Sequence, residues 1–402
     1  MTDGPLQSSG RILAIDVLRG IALLGIVVVN ASIFGRPLAE LVGGGIDAGS
    51  LADRLTRLFV VVVAEFKFVS LFSLLFGFGL AMQRQRRLAA GRSFAWFGVR
   101  RMVILGIFGM IHAIAIWYGD ILFIYAGIGL LILPLLQLGG TTRLVLGILA
   151  IGWSTLAIAG LNGLTLAMQV PPDPSTVDTS LRGWDAVFSA SFDPSHPNWI
   201  AAETAALASG PFLDATLFRS LTWSFSLFFA AFSFGWHMLG MALIGTWMHE
   251  VGLFGSGAAD RRRRLAVSTF PLGCLLSIAC GTIFWWASGS AIGVMAQSVQ
   301  MISAALMAVG GAMLAARLVE AGRVPGVRIL ASIGRMSLTA YLLESLIFTA
   351  ITVHWGLGWF GQLSITQLVG LAFVVYALVA VFCVVWTTRF RMGPMEWLWR
   401  TA

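Results

Sequence analysis

Long apolar runs, separated by short polar segments, fill almost the whole chain. A helix needs about 20 mostly apolar residues to cross a bilayer, and helices are expected because hydrocarbon offers an exposed backbone no hydrogen-bond partner. The runs are also too long and too uniform for the alternating strands of an outer-membrane barrel. The pattern predicts ten spans, at residues 13–34, 58–82, 100–117, 120–138, 144–166, 217–247, 265–287, 291–316, 329–353 and 365–388.

The composition of the chain agrees with this pattern. Of the 402 residues, 58% are apolar and 11% are charged, whereas soluble domains are about 45–50% apolar and about 25% charged. An ordinary soluble protein is therefore excluded. We predict an all-α, polytopic membrane helical bundle of about ten transmembrane helices, forming a single membrane domain over residues 1–402 within the lipid bilayer.

The basic residues indicate how the helices are oriented. Arginine accounts for 25 of the 26 basic residues, and Lys67 is the one lysine. With both termini in the cytoplasm, 19 arginines fall on the inner side, including the run 261–264. This bias follows the positive-inside rule. The net charge of +8 therefore reflects membrane topology and does not indicate a nucleic-acid partner.

The longest predicted outer segment, residues 167–216, differs from the other loops. It is rich in Pro, Ser and Asp, and its stretch LRGWDAVF fits a short interfacial helix with Trp184 at the membrane boundary. Loops of this length commonly hold lids or binding surfaces. The N-terminus lacks the basic start and the cleavage site of a signal peptide, so the first span is predicted to be retained. The three cysteines and the scattered histidines have no metal-ligand spacing, and no metal site is predicted.

Polar side chains interrupt the first two spans. On an ideal helix Asp16, Arg19 and Asn30 share one face. An ion pair at the membrane edge explains Asp16 and Arg19, whereas Asn30 on the same face favours a stripe that lines an internal cavity. Lys67 lies near mid-membrane depth, where snorkelling is a poor escape. It is predicted either to be a structural counter-ion or to line a polar pocket.

The stretch GMIHAIAIWYGDIL carries the most informative polar pair. His112 is flanked by Gly106 and Gly109, small residues that let helices approach closely, so it is expected to face protein. Its imidazole suits a general base or a proton carrier, and the alternative is a histidine satisfied within the core. Asp120 can cap the next helix and orient His112 at the same time. Trp117, between them, is predicted to line the same cavity.

The ninth predicted span adds a second polar face. Ser337, Tyr341 and Glu344 share one side of this helix, with Arg335 opposite them near the cytoplasmic edge. We predict that Arg335, Tyr341 and Glu344 line the cavity. The chain has no Walker loop, GxSxG elbow or HExxH motif, so any chemistry is expected to depend on ionisable groups within the membrane.

Several segments carry a family resemblance. RILAIDVLRGIALLGIVVVN, GMIHAIAIWYGDILFIYAGIG, IGRMSLTAYLLESLI and GPMEWLWR resemble, in order and over nearly the whole chain, the YeiB-type bacterial membrane proteins with domain of unknown function 418. This resemblance implies a multi-pass protein of the bacterial inner (plasma) membrane. The opening Asp-x-x-Arg-Gly that leads to Asn30 is also similar to heparan-alpha-glucosaminide N-acetyltransferase and other transmembrane acyltransferases. That similarity implies acyl transfer from cytoplasmic acyl-CoA to an acceptor across the membrane.

The sequence departs from the acyltransferase pattern at one point. The histidine that follows the asparagine in that enzyme has no counterpart in ASIFGRPLAELVGGG, and His112 is the natural substitute. Our hypothesis is that His112 deprotonates the acceptor, Asp120 holds or polarises the site and Asn30 stabilises the oxyanion. Acetyl-CoA or another acyl-CoA is the expected donor, with its phosphates on Arg19 and Arg335. A small molecule, a glycan or a lipid is the expected acceptor.

Two other functions fit the same sequence. One is a proton- or anion-coupled transporter or flippase of a small metabolite or lipid-linked substrate, with His112, Lys67 and Glu344 along its route. The other is a non-catalytic membrane protein whose loop 167–216 binds another protein. A homodimer is a further partner prediction. The sequence does not decide whether the protein is an enzyme.

Overall fold

A computed structural model describes residues 12–37, 49–168, 173–288 and 290–401. Apart from turns, every regular element in these ranges is helical. The α-helices are α1 Leu13–Phe34, α2 Leu51–Phe59, α3 Lys67–Ala89, α4 Ala95–Ile111, α5 Leu122–Leu135, α6 Gly140–Met168, α7 Gly183–Ser189, α8 Pro197–Ser209, α9 Phe212–Phe229, α10 Gly235–Glu250, α11 Ala259–Ala287, α12 Ala291–Glu320, α13 Val327–Arg335, α14 Ser337–Thr352, α15 Ile365–Arg389 and α16 Pro394–Thr401.

Eight helical segments in the described ranges are long and apolar enough to cross a membrane, which confirms an all-α, multi-pass membrane protein. Two predicted spans correspond to shorter helices. The fourth contains α5, with 14 residues, and the ninth is divided at Met336 between α13 and α14, with 9 and 16 residues. The count of ten spans and the cytoplasmic position of both termini stay predictions. The eight segments are Leu13–Phe34, Leu51–Ala89, Ala95–Ile116, Gly140–Ala167, Phe212–Glu250, Ala259–Ala287, Ala291–Glu320 and Ile365–Arg389.

Three of these segments contain a π turn, at Val60–Ala64, His112–Ile116 and Ala230–Phe234. A π turn shifts the hydrogen-bond register by one residue, and such turns are common at functional sites. Buried ionisable side chains accompany all three: Lys67 follows the first, His112 begins the second and His237 follows the third. The irregular backbone and the buried polar groups therefore coincide.

Small residues allow α1 and α13 to cross closely. A Cβ at Gly334 would collide with the backbone of Asp16, and a Cβ at Gly20 would collide with that of Leu330. Contacts of this kind are typical of helix packing in membranes. Because α13 ends at Arg335, this crossing brings the end of α13 to the first turns of α1.

The predicted loop 167–216 is largely helical in its described part. Helices α7 and α8 pack with the first turns of α9 around the fully buried Trp199. The stretch LRGWDAVF contains α7, on which Trp184 is 50% exposed. We call the end of the bundle covered by α7 and α8 the loop end. Residues 169–172 of the predicted loop, and residues 1–11 at the N-terminus, lie outside the described residues.

Candidate functional site

His112 and Asp120 form a hydrogen-bonded pair inside the bundle. His112 Nδ1 lies 3.0 Å from Asp120 Oδ1, and the two residues are 1% and 3% exposed. The other carboxylate oxygen, Oδ2, accepts a hydrogen bond from the backbone N–H of Phe123 at 2.8 Å. Asp120 therefore caps the first turn of α5 and orients the imidazole of His112 at the same time.

The path of the chain explains how the two residues meet. Helix α4 ends in the π turn His112–Ile116, Trp117 is extended with φ −156° and ψ 128°, and the chain then reverses into α5. Gly109 permits this close return, because a Cβ at that position would lie 2.3 Å from Phe123 N and 2.7 Å from Asp120 Oδ2. The glycine that marks close packing in the sequence thus makes room for the pair itself.

Aromatic rings surround the pair. The ring centroid of Tyr341 lies 5.2 Å from that of His112, and the ring of Trp117 lies 6.3 Å from it in an edge-on arrangement. Trp117 also stacks on Phe34 at the end of α1, with ring centroids 3.9 Å apart. Tyr341 and Trp117, two of the predicted cavity residues, are therefore neighbours of the pair in space.

Three buried polar atoms in this region have no hydrogen-bond partner in the part of the chain that the structure describes. They are His112 Nε2, Trp117 Nε1 and Glu344 Oε1. Most buried polar groups in proteins are hydrogen-bonded, so several unpartnered atoms near one buried pair mark a candidate binding site. When Nδ1–H is donated to Asp120, Nε2 carries the lone pair and can accept a proton from a ligand.

A cavity of about 540 Å³ lies between the end of the bundle opposite the loop end and the inner residues Ile121 and Tyr341. We call this end the basic end. Apolar and aromatic side chains of α1 and α3 line much of the cavity, and Tyr341 belongs both to its wall and to the surroundings of His112. Six arginines from five helices also line it: Arg19, Arg86, Arg87, Arg101, Arg335 and Arg400.

The C-terminal helix α16 closes one side of this cavity. Glu396 Oε1 accepts hydrogen bonds from the backbone N–H groups of Leu338 and Thr339 at 2.7 and 3.1 Å, and Oε2 accepts one from the Thr339 hydroxyl at 2.6 Å. Trp399 donates its indole N–H to Arg101 O at 2.8 Å and lies under the Arg101 guanidinium. Glu396 thereby caps α14, the helix that carries Tyr341.

Lys67 lies in a different network. Its Nζ donates to Val61 O at 2.6 Å and to Gln300 Oε1 at 2.9 Å. The Ser277 and Ser303 hydroxyls also lie within hydrogen-bond distance of Gln300 Oε1, at 3.0 and 2.7 Å. In the described ranges no hydrogen bond connects this network to His112 or Asp120. We refer to Lys67, Ser277, Gln300 and Ser303 as the Lys67 network.

The polar stripe of α1 is divided along its length. Asp16 is buried at the crossing with α13, and Arg19 lines the cavity beside Gly79, whose missing side chain leaves space for the guanidinium. Asn30 is half-buried, four residues before Phe34. No hydrogen bond joins Asn30 to the His112–Asp120 pair among the described residues. Arg335, by contrast, shares the cavity with Arg19.

Sequence reasoning missed several residues that shape the site. Arg86, Arg87, Arg101 and Arg400 counted there as topology signals, because their convergence on one cavity depends on how separate helices pack. Glu396 entered only through a family motif. An acid between apolar residues in a short terminal helix was a usable signal for its capping role.

Another missed residue is Arg219, on α9. In the structure its Nε donates to Ile114 O, within the His112 π turn, at 2.9 Å. The buried His237 contacts a hydroxyl group, with Nε2 2.6 Å from Ser70 Oγ.

Comparison with known proteins identifies the family. Residues 248–402 match the family described as "Protein of unknown function (DUF418)". The "Uncharacterized protein YeiB" of Escherichia coli (strain K12) is 30% identical over 398 residues, covering 97% of this chain and 95% of that protein. The chain belongs to the YeiB-type DUF418 family. The "Uncharacterized protein YxaH" of Bacillus subtilis (strain 168) is 29% identical over 421 residues, covering 99% of this chain and 95% of that protein.

The DUF418 family match covers only part of the candidate site. The matched DUF418 region holds Arg335, Tyr341, Glu344 and Glu396, whereas the His112–Asp120 segment precedes it. The similarity to YeiB and YxaH spans both parts. Since the names of these relatives state no activity, a function for this DUF418 protein has to be argued from the geometry of the site.

Proposed function

We propose that this DUF418 protein is an acyltransferase embedded in the bacterial inner membrane. It takes an acyl group from acyl-CoA held in the arginine-lined cavity and passes it to a hydroxyl or amine of a small-molecule, glycan or lipid acceptor. The observation that carries the proposal is the buried His112–Asp120 pair, which leaves Nε2 without a partner among the described residues and whose imidazole lies 5.2 Å, between ring centroids, from Tyr341 of the cavity wall.

The residues of the cavity suit acyl-CoA. Guanidinium groups bind phosphates through paired N–H donors, and CoA carries its phosphates at one end and its thioester at the other. Phosphates at the six arginines would direct the thioester toward Tyr341. The one described carboxylate of the lining, Glu396, is already engaged by backbone and hydroxyl donors of α14. The proposal requires the basic end to face the cytoplasm, the side that the positive-inside rule predicts for it.

The chemistry follows from the position of the imidazole. His112 Nε2 removes the proton of the acceptor O–H or N–H as that atom attacks the thioester carbonyl carbon. The C–S bond then breaks, and the imidazolium returns the proton to the departing thiolate, which leaves as the free thiol of CoA. Asp120 stabilises the imidazolium through the 3.0 Å hydrogen bond and keeps Nε2 directed away from itself.

Charge also develops on the carbonyl oxygen during transfer, and donors must stabilise it. Asn30 was predicted for this role and stays part of the proposal. The indole Nε1–H of Trp117 is a second donor, because it is buried without an acceptor among the described residues and its ring stacks on Phe34, four residues after Asn30.

The transporter alternative has less support. A route through Lys67, His112 and Glu344 would need these groups to exchange protons or ions along one path. Lys67 instead donates to Val61 O and Gln300, and no hydrogen bond in the described part of the chain links it to the other two.

The test is thiol release from acetyl-CoA and longer acyl-CoAs by purified protein, with bacterial membrane extract as the source of acceptors. His112→Gln keeps a hydrogen-bonding group but removes the basic nitrogen, so turnover should fall by roughly 10²–10⁴-fold while the melting temperature changes little. The matched control is His237→Gln, a second buried histidine that contacts Ser70 instead of a carboxylate. Normal turnover in His112→Gln protein would refute the mechanism, and so would equal loss in both variants.

A further inference from the structure

A second group of unpartnered donors lies on α9, at the loop end of the bundle. Arg219 is 1% exposed, its Nε donates to Ile114 O at 2.9 Å and its Nη2 donates to Thr216 Oγ1 at 2.9 Å. Its Nη1 is buried and has no acceptor in the part of the chain that the structure describes. No carboxylate in those ranges lies within ion-pair distance of this guanidinium.

Two more donors share the face of Arg219. Thr222 and Trp223 follow it at i+3 and i+4, which places all three on one side of the helix. Thr222 Oγ1 and Trp223 Nε1 are buried without partners among the described residues. Burying a cation and two further donors without an anion costs free energy, unless an anionic ligand accepts their hydrogen bonds.

This face of α9 packs against the proposed catalytic pair. Arg219 binds the carbonyl of Ile114, two residues after His112, and the Trp223 ring lies 5.3 Å from that of Phe123, whose N–H donates to Asp120. Arg219 and Trp223 therefore contact residues that adjoin both members of the pair in the chain.

His354 supports the same location. Its ring and the Arg219 guanidinium both pack on Phe212, with centroid distances of 6.3 and 5.3 Å. Burial and the positive charge of Arg219 lower the pKa of His354. Its Nδ1 is buried without a partner in the described residues and adds another polar atom to the group.

We propose that Arg219, Thr222 and Trp223 form an oxyanion-binding subsite, and that the acceptor of acyl transfer carries a phosphate or similar anionic group that binds there. The assignment to the acceptor rests on the proposed function, whereas the subsite itself does not. The acyl donor and the acceptor then enter from opposite ends of the bundle, and arginines at each end bind their anionic groups. The reacting atoms meet at His112.

The test measures binding of inorganic phosphate to the full chain by phosphorus NMR, in maltoside micelles that contain no phosphorus and without acyl-CoA. Loss of a charged hydrogen bond predicts about 10- to 100-fold weaker binding at one site in Arg219→Gln protein. The control is Arg182→Gln, an exposed arginine of the loop end that donates to Thr179 O and Leu181 O. Equal phosphate binding by wild-type and Arg219→Gln protein would overturn the subsite.

A milder variant keeps the test decisive if Arg219→Gln protein does not fold. Thr222→Val preserves shape and removes one donor, so phosphate should bind several-fold more weakly. Unchanged binding in folded Thr222→Val protein would overturn the subsite as well. Competition by glycerol phosphate alone would indicate a soluble acceptor, and stronger competition by phosphatidylglycerol than by phosphatidylcholine would indicate an anionic lipid.

The two proposals fail in different ways. Arg219-dependent phosphate binding together with full turnover in His112→Gln protein would retain the anion subsite and remove its assignment to an acyl acceptor. If turnover falls in His112→Gln protein but phosphate affinity is unchanged in the Arg219 and Thr222 variants, acyl transfer is retained and the subsite is overturned.

Discussion

Two buried polar regions of this protein differ in how completely their hydrogen bonds are made. In the Lys67 network, Nζ has two acceptors, Ser277 donates to Val62 O, and both ends of the Gln300 amide have partners. Around His112 and Asp120, by contrast, an imidazole nitrogen, an indole N–H and a carboxylate oxygen are left without partners in the described residues. Both regions adjoin a π turn and both are buried.

The difference separates a structural role from a functional one. Polar groups within a membrane persist either because partners satisfy them or because a ligand does. The Lys67 network joins α3, α11 and α12 and leaves no buried atom of its four side chains unpartnered. The His112–Asp120 pair holds its geometry through one carboxylate and keeps a basic nitrogen available, which is the arrangement that proton transfer requires.

Among the variants that test this contrast, Asp120→Asn should have the largest effect after His112→Gln. The amide can still accept from Phe123 N–H, so the cap and the melting temperature should change little. Its NH₂ can donate to Nδ1, however, which selects the ring form with the proton on Nε2 and removes the charge that stabilises the imidazolium. We expect thiol release to fall about 100-fold, measured beside His112→Gln under identical conditions.

The outcome of Asp120→Asn also distinguishes its two roles. A large fall in the melting temperature with normal turnover per folded molecule would assign Asp120 to capping alone. In that case the contrast with the Lys67 network would disappear, because both regions would be structural.

The next variant, in the Lys67 network, should lower stability and leave turnover almost unchanged. Gln300→Leu removes the acceptor that Lys67 and Ser303 share, next to the Ser277 hydroxyl that donates to Val62 O, and leaves a buried ammonium with fewer partners. We expect a loss of about 1–2 kcal/mol in the free energy of unfolding, measured by denaturation in mixed micelles, with turnover per folded molecule within about twofold of wild type.

A conservative variant controls this measurement. Ser303→Ala removes one donor to Gln300 and keeps the Lys67 contact, so it should be clearly milder. If Gln300→Leu protein were fully stable but inactive, Lys67 would belong to the catalytic or transport path and the division between the two regions would be wrong.

The long helices were predictable because the length of each apolar run is enough to locate them. The eight long segments of the structure overlap eight of the ten predicted spans. The π turn at Val60–Ala64 and the left-handed Phe66 were not predictable, because the stretch contains no glycine or proline, and the charged Glu65 and Lys67 beside Phe66 do not indicate a change of backbone geometry. The ninth predicted span has no proline at its split near Met336, and Gly334 alone did not signal one; the Glu396 cap on α14 that accompanies the split is a contact between distant parts of the chain.

The part of the candidate site that is formed by residues close together in the chain was predictable. His112 and Asp120 are eight residues apart, and Gly109 between adjoining helices signalled a close approach. The local sequence did not separate the role of Lys67, two residues after Glu65, from that of His112, eight residues before Asp120. Their roles separate only when partners from distant helices, Gln300 for one and Tyr341 for the other, are known.

The smallest expected effect concerns Tyr341, which lies between the cavity and His112. Its hydroxyl donates to Gly119 O at 3.4 Å, a long contact, while its ring lies 5.2 Å from the imidazole. Tyr341→Phe keeps the ring and removes the weak bond, so the free energy of unfolding should change by less than about 0.5 kcal/mol. Thiol release should stay within about threefold of wild type, whereas Tyr341→Ala, which removes the ring, should lower it further. If Tyr341→Phe instead reduced turnover as much as Asp120→Asn, the hydroxyl would take part in proton transfer, and the site would be a triad of His112, Asp120 and Tyr341 instead of a pair.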